Sequence, residues 1–172
     1  MLEKLIEDLT QLTLTAVADE WKAQGHNLSG AAIKAMEVES KFVINTLILT
    51  GLVPDYMAIN NEGVKADRIP YTPNSGRPPS KYISGLIDYA KRRMGASDKE
   101  AKSIAFAIAS KHKKEGMPTK ASSRFSKTGR RTGFIEQSLE KISPQIIDAI
   151  EKAILFSVEV EVMSFYKSQL NR

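Results

Sequence analysis

An α+β domain is predicted from the sequence: a small antiparallel sheet packed against an N-terminal helix, a central αα-hairpin and a C-terminal helix, with a long basic loop or arm. Three observations predict it. Apolar residues recur at three- and four-residue spacings in three separate stretches, the period of a helix with one buried face. The run Lys41 to Thr50 is instead dense in β-branched and apolar residues, which suits a pleated strand. Residues 117–134 follow neither period and hold no acid.

The elements follow in order. Leu2, Leu5, Ile6, Leu9, Leu12, Ala16, Val17 and Trp21 make one stripe, so a helix is predicted from Met1 to about Gln24, stopped at Gly25. Asn27 or Ser29 can cap a short second helix through about Glu39. The Lys41–Thr50 strand ends at Gly51 and Pro54. Residues 55–63 read as a helical turn or short strand closed by Gly63. Residues 65–80 carry Pro70, Pro73, Pro78 and Pro79, which block a helix and disfavour a central strand, so an exposed loop is predicted.

Ser80 caps a helix to Met94, with Lys91, Arg92 and Arg93 in the last turn, where cations complement the helix dipole. Ser97 and Glu100 form a capping box that opens a helix to about Glu115, with Ala101, Ile104, Ala105, Ile108 and His112 down one side. Gly116 and Pro118 stop it. The short turn between these helices predicts an αα-hairpin. After the basic stretch, Ile135–Ile142 reads as a short helix. Ser143-Pro144 reads as the start of another, to about Phe156. Val158, Val160 and Val162 alternate with Glu159 and Glu161, so a strand is predicted over 157–163. A helix continuing to the C-terminus is the alternative.

The chain has 172 residues and a net charge of +5. One domain is expected over 1–172, since a chain this long buries roughly 70% of its unfolded surface. It has no Cys, which excludes a disulfide scaffold, Cys-ligated zinc and a thiol nucleophile. No apolar run reaches the length of a membrane span. MLEKLIEDLT lacks the basic-then-apolar pattern of an export signal. The charge is segregated. Residues 1–64 hold 4 basic and 9 acidic side chains, 65–131 hold 17 and 5, and 132–172 hold 4 and 6. A basic centre between acidic flanks attracts polyanions, or the acidic ends of another copy.

Signatures of catalysis fail in turn. Lys127-Thr128-Gly129-Arg130-Arg131-Thr132-Gly133 lacks the residue order of a phosphate loop. His26 and His112 stand apart, without metal-ligand spacing. Glu159 and Glu161 read as a solvated face, and no G-x-S-x-G elbow exists. No enzyme, cofactor or metal is expected. The basic stretch is the candidate contact segment. Lys120, Arg124, Lys127, Arg130 and Arg131 lie among hydroxyls and glycines that let backbone approach a phosphate. Phe125 and Phe134 could stack on a base or anchor on a neighbouring subunit. Polyanion contact, docking on another subunit, and disorder stay open for this segment.

Two stretches carry a family resemblance. Asp55-Tyr56-Met57-Ala58 through Asn61-Glu62-Gly63-Val64 and Arg68-Ile69-Pro70 is the first. Ile104-Ala105-Phe106-Ala107-Ile108-Ala109 through Glu115-Gly116-Met117-Pro118-Thr119 is the second. Together they resemble tail-completion, or head–tail joining, proteins of tailed bacteriophages. This chain departs by interposing the basic stretch up to Gly133 and by enlarging the loop around Pro73–Pro79. The resemblance implies a small α+β virion protein of the neck. It would form a homo-oligomeric ring between portal or adaptor and tail proteins, have no catalytic residues, and touch packaged DNA non-specifically. It implies a place in the virion, and in the host cytoplasm during assembly. A small nucleic-acid-binding module is the competing reading, and an enzyme with a dispersed site a third.

Overall fold

The computed structural model describes residues 2–43, 46–73 and 78–170. It is an α+β structure: helices α1 (Leu2–Ala23) and α2 (Ala31–Lys34), strands β1 (Glu37–Val43) and β2 (Thr46–Leu52), then helices α3 (Asp55–Glu62), α4 (Lys81–Met94), α5 (Asp98–Glu115) and α6 (Phe134–Leu170). β1 and β2 pair antiparallel, Glu37 with Leu52 through Val43 with Thr46. Among the described residues no helix is long and apolar enough to cross a membrane.

The chain divides into two compact units. The first holds residues 1–20, 36–52 and 135–172. Its buried apolar residues include Leu9, Val17, Ala18, Met36 and Ile142. Here α1 and α6 are tied by an ion pair between Lys141 and the buried carboxylate of Glu20. The second unit holds residues 21–35 and 53–134. Its centre is the αα-hairpin of α4 and α5. Ala101, Ala105 and Ala109, one turn apart on α5, are wholly buried. Side chains that small let α4 approach closely, where Ile83 and Ala90 are buried. Ser80 Oγ accepts from Ile83 N, and Ser97 and Glu100 make the capping box, so both predicted starts hold.

Four readings of the sequence differ from the structure. The Lys41–Thr50 strand is two strands flanking residues 44–45, which lie outside the described residues. The helix predicted to Glu39 ends at Lys34, because Glu37-Val38-Glu39-Ser40 has strand period and pairs with β2. The strand predicted over 157–163 is helix. No Gly, Pro or Asn interrupts residues 145–170, so the helical hydrogen bonds run through the Val-Glu alternation. Ser143-Pro144 is no start either. Pro144 lies inside α6, where it removes one hydrogen bond from a helix already propagating from Phe134.

The Pro-rich loop is also more ordered than predicted at its beginning. Ala66–Arg68 form a short 3-10 helix, and Ile69 is buried. Lys113 Nζ donates to the carbonyls of Asp67 and Ile69, holding this stretch on α5. The part of that loop at residues 74–77 lies outside the described residues.

Candidate functional site

The basic segment 117–134 starts at a joint between the chain just after α3 and the chain just after α5. Val64 and Met117 form an antiparallel bridge, Val64 N to Met117 O at 2.6 Å and Met117 N to Val64 O at 2.8 Å. The approach needs glycine at the end of α5. Gly116 has φ 85°, and a Cβ there would lie 2.7 Å from the Val64 carbonyl oxygen. No L side chain fits both that dihedral and that distance. On the other side of the bridge, Gly63 follows α3.

From the joint the chain turns into a 3-10 helix over Lys120–Phe125. Serines hold it locally: Ser122 Oγ donates to Thr119 O at 2.7 Å, and Ser123 Oγ to Lys120 O at 3.1 Å. The segment then crosses the C-terminal end of α1. Lys127 N donates to Ala23 O at 2.8 Å, Gln24 Nε2 to Thr132 O, and His26 Nε2 to Arg131 O. Gly133 N closes it onto Asn61 O at 2.9 Å. The disordered alternative gives way here. A segment without helical or strand period is ordered by backbone groups that cap the orphan carbonyls of another helix.

This wrapping sorts the predicted contact residues. Lys120, Arg124, Phe125, Lys127 and Arg130 are exposed. The Arg124 guanidinium lies over the Phe125 ring, 4.8 Å from its centroid, a cation–π pair at the surface. Arg124, Lys127 and Arg130 have no acidic partner among the described residues. Arg131 is half-buried; burial lowers its pKa, and the Arg93 guanidinium also lowers it. Phe134 leaves the predicted contact set. Its ring is wholly buried, edge-on to Trp21 at 5.0 Å, because an aromatic at the foot of the segment gains more from that apolar contact than from solvent.

Two participants were not predicted. Arg93 Nη1 donates to Asn27 O at 3.4 Å, and Arg131 Nη1 lies 3.5 Å from where a Gly25 Cβ would be. Both guanidiniums therefore meet the turn after α1. The Lys91-Arg92-Arg93 run was legible only as a helix-dipole complement. His26 stacks on Trp21 at 4.5 Å. Burial, and then the Arg131 charge, push its pKa down to about 4, so the ring is neutral near pH 7.

The arrangement presents permanently charged donors on ordered backbone, which suits carboxylate or phosphate partners. Among the described residues no group of three or more His, Asp or Glu is placed to hold a metal ion. Comparison with protein-family models, with curated proteins and with solved structures finds no significant match in any of the three.

Proposed function

We propose that this chain is a structural subunit of a tailed-phage neck, a tail-completion protein that assembles into a ring between portal and tail and carries no catalysis of its own. One observation above all supports the reading: charge follows the division into compact units. The unit built from α1, the β1–β2 pair and α6 holds 13 acidic and 6 basic side chains. The other holds 7 acidic and 19 basic. A chain with a net −7 body and a net +12 body is complementary to its own copies in a head-to-tail sense. A ring closes from such contacts. The resemblance of residues 55–70 and 104–119 to tail-completion proteins supports siting such a ring in a virion neck.

Replacing the exposed Arg124, Lys127 and Arg130 by Ala tests this. The variant chain is expected to keep its fold, read by circular dichroism, while heads and tails accumulate unjoined. Normal numbers of tailed particles from that variant would contradict the reading.

The same three cations favour a second reading, a module that binds nucleic acid without sequence preference. It requires duplex binding by the isolated chain that weakens steeply as salt rises. Absence of binding at low salt removes it.

A further inference from the structure

The C-terminal half of α6 poses a physical problem. From Ile147 to Leu170 its large apolar residues are all exposed, among them Ile154 at 58%, Leu155 at 64%, Phe165 at 61% and Leu170 at 84%. Between Ala153 and Tyr166 the only charges are Glu159 and Glu161. Two residues apart on a helix, they project to nearly opposite sides, so apolar residues ring the rod rather than lining one face. A helix that is apolar all round is normally buried. The twelve exposed apolar residues from Ile147 to Leu170 amount to on the order of 1,000 Å² or more, against roughly 300–600 Å² for the largest patch of a typical monomer and about 800 Å² per partner in a standard interface.

We propose that residues 147–170 of α6 dock on the basic unit of a second copy of this chain, head to tail. The inference rests on the self-assembling subunit read above, and names the surface and what covers it. Two arguments select a second copy in this orientation. The exposed area already meets what a stable protein–protein interface needs. The charge is complementary: the exposed acids Asp148, Glu151, Glu159 and Glu161 belong to the −7 unit, and the partner surface belongs to the +12 unit. That basic unit also exposes aromatic and apolar anchors, Tyr89, Met94, Phe106 and Phe125. Each has an exposed cation within four residues, Arg92, Arg93, Lys102 and Arg124 respectively. A symmetric pairing of α6 with α6 would place two net-acidic α6 segments against each other and use none of these cations. A heterologous contact leaves one α6 and one basic surface unused, which a ring closes and an unclosed rotation extends into a filament.

The test is a complementation in solution, read by analytical ultracentrifugation of the full-length chain at low salt. One variant carries Phe156→Glu and Phe165→Glu, exposed positions where Glu is a good helix former. The other carries Arg92→Glu, Lys102→Glu and Arg124→Glu. Circular dichroism confirms that both keep the fold. The unchanged chain is expected to self-associate, and each variant alone to lose at least about a hundredfold in affinity. An equimolar mixture of the two is expected to form a one-to-one heterodimer, since it retains one intact α6 and one intact basic surface. The proposal is overturned if the mixture stays monomeric, if the α6 variant assembles like the unchanged chain, or if the unchanged chain is monomeric throughout. This outcome is separable from the neck reading: a chain that assembles in this manner but is missing from virions defeats only the neck assignment.

Discussion

His26 lies between the Trp21 ring and the carbonyl of Arg131, and its environment makes stability depend on pH. The folded ring resists protonation until about pH 4, whereas the unfolded ring takes a proton near 6.5. Between those values the unfolded state binds more protons, so stability falls as pH drops from 6.5 toward 4 and is unaffected above 6.5. The ring keeps some solvent contact, so the loss is on the order of 1–2 kcal/mol. His112 adds to the slope, since burial lowers its pKa as well. His26→Phe keeps an aromatic ring on Trp21 and should flatten part of the dependence of Tm on pH in this window. An unchanged slope would mean that His26 titrates in solvent. Gly25 gives a second prediction. Its φ is 75°, and a Cβ would lie 2.3 Å from the Phe125 carbonyl oxygen. Gly25→Ala should cost about 2 kcal/mol or more, read by denaturant unfolding, and should loosen the basic segment first.

At the scale of elements, the two helices of the hairpin were legible because every local signal agreed: Ser caps, a capping box, cations in the last turns and glycines beyond. Their packing rests on the alanine row of α5. Ala105→Leu should overpack it and destabilise by about 1–3 kcal/mol in thermal unfolding. A neutral result would mean that α4 does not lie against Ala105. The misread elements share a cause. Glu37-Val38-Glu39-Ser40 and Val158-Glu159-Val160-Glu161 alternate alike, yet one is strand and the other helix. Alternation predicts a strand only where the chain can pair. The first segment has a partner strand a few residues away, whereas the second continues a helix with nothing to stop it. The order of the basic segment was hidden for a different reason. It comes from backbone groups meeting the end of α1 across a hundred residues of chain, and no periodicity encodes that. The exposed cations of the candidate surface could be read from composition. The burial of Phe134 and the meeting of Arg93 and Arg131 at the turn after α1 could not, since both depend on which turn the segment crosses.

For the whole molecule, the proposed self-association rests on the segregated charge and on the exposed apolar residues of α6. If its two oppositely charged units attract between copies, the chain should self-associate more weakly as salt rises, while its apolar contacts persist. Light scattering across a salt series should show a loss of affinity between about 50 and 500 mM rather than an abrupt unfolding. Salt-independent association would place the energy elsewhere. Purified tailed particles test most directly the proposal that this chain is a ring-forming part of a phage neck. Labelling the chain and imaging those particles should show a ring of label between the head vertex and the tail. Intact, infectious particles that carry no copy of the chain at that position would contradict it.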